Sequence, residues 1–207
     1  MKAFVNEDCI ECTQVEDYLE VYKKAWVKFE FTNLKKYNTW EYKAHFNEYD
    51  ITKLPFIVFS EELNNYETIS NSWDNTFGYR NEKMEYIPTD IIPPYFDIKT
   101  KQVKWLINIV YIWDQNCNDC YKIEDSILIL RKFWLRFKNI NKIDKENKEA
   151  IKLIQKYNIN TFPAIILSKN TKLYKNFSYF WKNMWSIEGD WRYILKKPWK
   201  IGLKIKN

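Results

Sequence analysis

The sequence predicts an α/β protein made of two copies of one unit, each with a central mixed sheet flanked by helices. Three observations lead to this prediction. The chain repeats itself at an offset of 108 residues, each copy carries a Cys-x-x-Cys pair, and each copy alternates short apolar runs with helical periodicity. An order of strand, helix, strand, helix, strand is typical of a sheet with helical crossovers.

The repeat covers most of the chain. At the offset of 108, the two halves share at least seventeen identical residues without a gap. Self-similarity at a fixed offset indicates a duplicated structural unit. The recurring positions include Cys9 and Cys117, Cys12 and Cys120, Trp26 and Trp134, Tyr49 and Tyr157, Pro55 and Pro163, Ser60 and Ser168, and Trp73 and Trp181.

Each copy is predicted to contain the same elements in the same order. An apolar strand precedes the cysteines, an amphipathic helix follows them, and an alternating segment predicts a second strand. A second helix then leads to a strand that starts after a proline. These elements fall at 3–6, 15–22, 26–31, 39–49 and after Pro55 in the first copy, and at 105–113, 123–134, 134–138, 145–157 and after Pro163 in the second.

Prolines mark the boundary between the copies. Pro88, Pro93 and Pro94 lie within seven residues of each other, and prolines so close together interrupt regular structure. We therefore predict a first domain at 1–88, a proline-rich linker at 89–98, a second domain at 99–197 and a basic tail at 198–207.

Charge is divided unevenly along the chain. Residues 1–99 contain 11 Lys and Arg against 18 Asp and Glu, whereas residues 100–207 contain 22 against 9. Opposite charges can keep two halves docked, and a basic half can also bind an anionic partner. Because the basic residues are scattered and no nucleic-acid motif accompanies them, we expect docking and do not expect a nucleic-acid partner.

The sequence also bears on the compartment. No apolar run approaches the ~20 residues needed to span a bilayer, and the first residues lack the apolar region of a signal peptide. We therefore expect a cytoplasmic protein with no membrane partner. Cysteine pairs in that compartment are mostly catalytic or metal-binding, because thiols there are kept reduced.

The cysteine pairs suggest a specific chemistry. A first cysteine at the N-terminus of a helix lies where unpaired N–H groups and the positive end of the helix dipole stabilise a thiolate. A second cysteine one turn later can resolve a mixed disulfide. The spacing alone is weak evidence, but in both copies a proline also recurs 43 residues after the second cysteine.

This combination resembles the thioredoxin superfamily, and the tandem layout is similar to the two-unit, glutaredoxin-like protein disulfide oxidoreductases of archaea and thermophilic bacteria. In that family the proline is cis and faces the disulfide, and the backbone of the residue before it pairs with the substrate chain. The resemblance implies an oxidoreductase that acts on protein thiols and disulfides, receives electrons from an upstream reductase and needs no cofactor or metal.

The implied roles are carried onto matching positions of this sequence. The catalytic residues are Cys9, Cys12, Cys117 and Cys120, the first of each pair attacking and the second resolving. The implied substrate-binding residues are Leu54, Pro55, Phe162 and Pro163.

The sequence departs from thioredoxins around both motifs. Ala3 and Tyr111 occupy the positions, six residues before the first cysteine, where thioredoxins bury a proton-accepting Asp. Neither motif contains the usual proline. Acidic residues surround both pairs, namely Glu7, Asp8, Glu11, Asp114, Asp119 and Glu124. Because negative charge disfavours a thiolate, we expect a less acidic nucleophile and a more reducing poise than that of a strong oxidase.

Other interpretations stay open. The chain could be a non-catalytic or chaperone-like binding module on a duplicated fold, or one copy could be active and the other a docking unit. The cysteines could bind zinc or an iron–sulfur cluster, although pairs 108 residues apart do not match compact zinc spacing.

The remaining candidate residues are assigned simpler roles. His45, the only histidine, is expected to be a packing or surface residue, and a single histidine excludes a His-based triad in each half. Tryptophans that recur between the copies (Trp26, Trp73, Trp134 and Trp181) are expected in the cores. Trp185, Trp191 and Trp199 are the candidates for an exposed apolar surface that holds unfolded clients.

Overall fold

The computed structural model describes residues 1–24, 27–29, 33–90, 92–117, 120, 122–175, 177, 186–190 and 192–195. The chain divides into two compact units, Met1–Lys104 and Trp105–Asn207. Within the described ranges, no helix combines the length and the apolar character needed to cross a membrane.

The first unit alternates strands and helices. Its described helices are α1 (Val15–Lys23), α2 (Trp40–Tyr49), α3 (Glu67–Ser70) and α4 (Trp73–Thr76), with a 3₁₀ turn at Glu61–Asn65. Its described strands are β1 (Lys2–Val5), β2 (Asn33–Lys36), β3 (Lys53–Leu54), β4 (Phe56–Val58), β5 (Gly78–Arg80), β6 (Tyr86–Pro88), β7 (Tyr95–Asp97) and β8 (Gln102–Lys104).

The second unit repeats this order. Its described helices are α5 (Ile123–Lys132) and α6 (Lys148–Tyr157), with a 3₁₀ turn at Lys169–Leu173. Its described strands are β9 (Ile107–Trp113), β10 (Phe137–Asp144), β11 (Ala164–Leu167), β12 (Ser186–Ile187) and β13 (Tyr193–Leu195). At the offset of 108, β1 and β9 end at equivalent residues, α1 and α5 begin at equivalent residues, and α2 coincides with α6.

The central sheets are mixed and have equivalent strand orders. In the second unit the order is β10-β9-β11-β13-β12, in which β10 runs parallel to β9 and the other neighbours are antiparallel. The first unit has β2-β1-β4 with the same directions, and a bridge between Phe59 and Tyr86 connects it to the β5–β6 hairpin. The predicted α/β class is therefore confirmed, with a mixed sheet in each unit.

Helices cover both faces of each sheet, because successive side chains of β1 and of β9 point to opposite faces. In β1, Ala3 belongs to the core formed with α1, whereas Phe4 belongs to the core formed with α2. In β9, Ile109 packs with α5 and Ile112 packs with α6. The periodic apolar residues predicted for the first helix, Val15, Tyr18, Leu19 and Tyr22, are all buried in this way.

The second helix of each unit begins and ends at equivalent residues. The side chains of Thr39 and Asn147 accept hydrogen bonds from backbone N–H groups of the first turn, which stabilises the helix start. Asp50 and Asn158 end these helices in the left-handed conformation, with φ of 46° and 50°. Asn and Asp tolerate this region better than most residues, so a glycine-poor chain can still end its helices there.

The second strand of each copy begins later than predicted. In the second unit β10 starts at Phe137, because α5 ends through Trp134, whose φ is 64° and whose N–H donates to the carbonyl of Arg131 at 2.8 Å. In the first unit β2 starts at Asn33, and residues 27–29 are not in a strand. The other residues of that predicted strand (26, 30 and 31) lie outside the described residues.

The predicted linker is only partly irregular. Residues 95–97 of the segment 89–98 form β7, which pairs antiparallel with β3 on one side and with β8 on the other. The first compact unit therefore extends to Lys104 rather than to 88. The residues after Pro94 have backbone N–H groups, so they can form the hydrogen bonds of a sheet. The predicted basic tail at 198–207 lies outside the described residues.

Candidate functional site

Both cysteine pairs are disulfides in the structure. The Cα atoms of Cys9 and Cys12 are 5.4 Å apart, and those of Cys117 and Cys120 are 5.5 Å apart. Each pair follows the first strand of its unit's central sheet, after Val5 in β1 and after the equivalent Trp113 in β9. The two pairs are therefore placed alike within their units.

The turn that leads into each pair is built in the same way. The N–H of Cys9 donates to the carbonyl of Asn6 at 3.1 Å, and the N–H of Cys117 donates to that of Asp114 at 3.0 Å. The side chains of Asn6 and Asp114 also accept from the N–H two residues later, at 3.2 and 3.0 Å. Side chains of this type stabilise turns by bonding to their own backbone. An Asn or Asp at both equivalent positions was a signal of this turn that sequence reasoning missed.

The first helix of each unit starts at the residue that the apolar periodicity predicted, which is later than the role of the attacking cysteine required. We expected each attacking cysteine at a helix N-terminus, but α1 begins at Val15 and α5 begins at Ile123. Gln14 forms a capping box with Asp17 at the start of α1, and this fixes the helix start beyond Cys12. Because the effect of the helix dipole falls off within a turn, it acts less directly on Cys9 than expected.

The acidic surroundings are partly compensated by lysines. Asp114 Oδ2 lies 2.7 Å from Lys145 Nζ, and Glu7 Oε1 lies 3.0 Å from Lys36 Nζ. The bond from Lys145, together with the N–H of Asn116, holds the pKa of Asp114 below its ordinary value. The negative charge expected beside Cys117 is therefore paired. Asp119 lies outside the described residues.

Neither unit places a buried carboxylate where thioredoxins have one. Tyr111 is buried at that position, and burial raises its pKa to about 12, so its phenol stays neutral near pH 7. Ala3, at the equivalent position, carries no titratable group. Protons released or taken up at the cysteines must therefore be exchanged with other groups or with water.

The bonds Leu54–Pro55 and Phe162–Pro163 are both cis, as the resemblance implies. In the second unit the Sγ atom of Cys120 lies 3.9 Å from the carbonyl oxygen of Phe162. The structure thus brings the second disulfide next to the residue that precedes Pro163.

In the first unit the equivalent residue has a partner from its own chain. Leu54 is fully buried and lies opposite Phe96 in the antiparallel pair of β3 and β7. Phe162 is only half-buried. The two predicted substrate-pairing positions therefore have different surroundings.

The disulfides also differ in exposure. Cys9 and Cys12 have exposed fractions of 4% and 5%, whereas Cys117 and Cys120 are half-buried. Between the two buried cysteines, the side chain of Ile10 is 85% exposed. The second disulfide is thus the more accessible to a reagent or a protein.

Of the other candidate residues, His45 and two tryptophans lie within the described part of the chain. His45 packs its ring near Phe4 and Tyr49, and its Nδ1 atom lies 2.6 Å from Glu48 Oε2. Trp73 is fully buried in the core, and Trp134 is half-buried. Five tryptophans that the sequence singled out lie outside the described residues, namely Trp26, Trp181, Trp185, Trp191 and Trp199.

Comparison with known proteins gave no match. No protein-family model matches the sequence, and neither the curated proteins nor the solved structures gave a match. Among the residues that the structure describes, no group of three or more His, Cys, Asp or Glu side chains is placed to hold a metal ion.

Proposed function

We propose that the chain is a thiol–disulfide oxidoreductase built from two thioredoxin-like units, and that it exchanges disulfides with client proteins. The observation that carries this proposal is the second site, where a half-buried Cys-x-x-Cys disulfide lies 3.9 Å from the backbone carbonyl that precedes Pro163. A client chain paired with that backbone would have its own sulfur within reach of the cysteines.

The topology supports the same proposal. In the thioredoxin superfamily a strand leads into the cysteine pair, and a helix, a strand and a second helix follow before a proline opens the next strand. The order β10-β9-β11-β13 and the packing of α5 and α6 on opposite faces of β9 agree with this arrangement. The equivalent strand order in the first unit supports the same assignment for the unit that contains Cys9 and Cys12.

The exchange needs only the four sulfur atoms of one site and its client. With the site reduced, the Cys117 thiolate attacks a client disulfide, which forms a Cys117–client bond and releases one client thiolate. The Cys120 thiol loses its proton, and its thiolate attacks the Cys117 sulfur and releases the second client thiolate. Both client thiolates take up protons from solvent. Two electrons have passed to the client, and a dithiol reductant must return them to the Cys117–Cys120 disulfide.

Reduction of insulin by dithiothreitol tests this activity. We expect the wild-type chain to accelerate the precipitation of reduced insulin chains, and a variant with Cys9→Ser and Cys117→Ser to lose that acceleration. Trp40→Ala, which alters an exposed side chain of the first unit, is the control. Equal turnover by the wild-type chain and the double variant would contradict the proposed function.

A binding role for the first unit is the second candidate. It is favoured by the burial of Cys9 and Cys12 and by the engagement of Leu54 with Phe96. Single variants separate the two candidates, because loss of activity with Cys117→Ser but not with Cys9→Ser would assign catalysis to the second unit alone.

A further inference from the structure

A segment of the first unit lies against the start of α1. Residues 90 and 92–97, named the strap, use the carbonyl oxygens of Asp90, Ile92 and Pro94 as acceptors. Tyr18 donates its hydroxyl to Asp90, Thr13 donates its hydroxyl to Ile92 at 3.1 Å, and the N–H of Thr13 donates to Pro94 at 2.9 Å. Alternate carbonyls of the strap thus face Thr13, which directly follows Cys12, and Tyr18 in α1.

The strap continues into the strand pair at Leu54. The N–H of Ile98 donates to the carbonyl of Thr52 at 3.0 Å. In an antiparallel pair of strands, every second pair of opposite residues exchanges backbone hydrogen bonds. Leu54 and Phe96 are two residues beyond Thr52 and Ile98 on their strands, so they form the next hydrogen-bonded pair. The backbone groups of Leu54 that a client chain would use are therefore taken by Phe96.

Side chains also hold the strap in place. Pro93, Pro94 and Tyr95 are buried. Lys53 Nζ lies 5.1 Å from the centre of the Tyr95 ring, and the Phe96 ring packs edge-on against Tyr37 at 5.3 Å. The strap is thus part of the folded unit, and it must be displaced before a client can pair with Leu54.

Neither anchoring residue recurs in the second copy of the sequence. At the offset of 108, Tyr18 corresponds to Ser126 and Thr13 corresponds to Tyr121. The short side chain of Ser126 is buried in the core, and it cannot extend as far as a tyrosine hydroxyl. The residues equivalent to the strap, 198–205, lie outside the described residues, and the buried cysteine pair lies in the unit where the strap is described.

We propose that the strap is a built-in occupant of the client-binding edge of the first unit, so that extended client chains exchange at Cys117–Cys120 while Cys9–Cys12 stays shielded until the strap opens. This inference rests on the proposed function. It assigns the two sites different partners: the second site takes the extended backbone of a client beside Phe162, and the first site takes its own strap.

The test compares the two disulfides within one molecule. Each reduction takes two electrons from dithiothreitol, which closes to its cyclic disulfide while both cysteines become thiols. Rapid alkylation followed by mass spectrometry counts each reduced pair. We expect Cys9–Cys12 to be reduced at least about tenfold more slowly than Cys117–Cys120, since the strap must first give up several hydrogen bonds that are each worth about fivefold in an opening equilibrium.

A variant with Thr13→Val and Tyr18→Phe removes two anchors and keeps the shapes of the side chains. We expect it to speed reduction of Cys9–Cys12 by about fivefold or more, and to leave the rate at Cys117–Cys120 unchanged. The matched control is Tyr66→Phe, because this hydroxyl accepts from the N–H of Lys28 instead.

Equal rates at the two disulfides of the wild-type chain, or an unchanged rate ratio in a folded strap variant, would overturn the proposal. If near-ultraviolet circular dichroism shows that the double variant is unfolded, Thr13→Val alone makes the same comparison. Because dithiothreitol reduction requires no client, this test can fail while insulin reduction stands. Conversely, if the chain fails to accelerate insulin reduction, the rates at which dithiothreitol reduces the two disulfides can still be compared.

Discussion

The carbonyl oxygen of Phe162 lies 3.9 Å from the Sγ atom of Cys120. The backbone before Pro163 therefore borders the second disulfide directly. In the first unit the same backbone position, Leu54, faces Phe96 of its own chain. Two copies of one unit thus present their sulfur atoms to different neighbours, and this leads to separate expectations for the two sites.

Replacing the resolving cysteine should trap a client on the second site. In a reduced Cys120→Ser variant, Cys117 can attack a client disulfide, but no neighbouring thiol remains to release the client. Mass spectrometry after incubation with oxidised insulin should find an insulin chain linked to Cys117. The matched variant Cys12→Ser should trap less client on Cys9, and equal trapping at both would contradict the difference between the sites.

The ion pair beside the second disulfide should affect its reactivity. Replacing Lys145 with Gln leaves the Asp114 carboxylate without its ammonium partner, so we expect the pKa of Asp114 to rise toward its ordinary value. Uncompensated charge near Cys117 should slow alkylation of the reduced site by about two- to fivefold, the range of an exposed ion pair. NMR titration of Asp114 and the alkylation rate by iodoacetamide measure the two effects.

The control for that experiment is Lys148→Gln, which removes one positive charge from an exposed position at the start of α6. It should change neither the Asp114 titration nor the alkylation rate appreciably. A Lys148→Gln effect as large as that of Lys145→Gln would show that total charge, rather than the pair with Asp114, governs reactivity.

The carboxylates of Glu48 and Asp190 should make the free energy of unfolding depend on pH in the acidic range. Hydrogen bonds from Lys83 and His45 lower the pKa of Glu48 from 4.5 to about 2, and the bond from Lys156 is the main cause that lowers that of Asp190 from 3.8 to about 2. A lowered pKa in the folded state stabilises the fold above the ordinary pKa, and this contribution is lost as pH falls toward 2.

Urea unfolding at pH 6 and at pH 2 measures this contribution. Glu48→Gln and Asp190→Asn should each lower the free energy of unfolding at pH 6 by at most about 1 kcal/mol, because both pairs are partly exposed and screened by solvent. At pH 2 each difference should be much smaller. A difference that stays the same at both pH values would contradict the assigned pairs.

The first unit should depend on the tryptophan in its core. Trp73 is fully buried, and its Nε1–H donates to the carbonyl of Tyr79 at 3.2 Å. Trp73→Ala should lower the free energy of unfolding of this unit by about 3–5 kcal/mol through lost burial and the resulting cavity. Trp40, which is 78% exposed, is the matched control. Trp40→Ala should change the free energy of unfolding by less than about 0.5 kcal/mol.

The repeat allowed the order of elements to be predicted from the sequence. The C-terminal ends of α2 and α6 were predicted correctly, because Tyr49 and Tyr157 close an apolar pattern just before residues that favour a helix stop. The second strands were predicted too early. The alternating residues from Trp134 onward predicted a strand, but a positive φ and a local hydrogen bond to Arg131 place Trp134 in the turn that ends α5.

The strap is the feature that sequence reasoning could not find. Prolines 88, 93 and 94 predicted a linker, since proline lacks the N–H that regular structure needs. The strap is instead held through carbonyl groups, which proline retains, as the bond from Thr13 to Pro94 shows. Its partner strand β3 has only two residues, which is too short to leave a pattern in the sequence.

The number of residues between the left-handed end of the second helix and the cis-proline is the same in both units. Asp50 and Asn158 each stand five residues before a cis-proline, so the helix stop sets where the backbone beside the disulfide begins. An insertion or deletion inside either interval would shift Leu54 or Phe162 out of register with its strand. Evolution can therefore vary the side chains of these intervals far more freely than their length, and a related sequence would keep that distance after most of its residues had diverged.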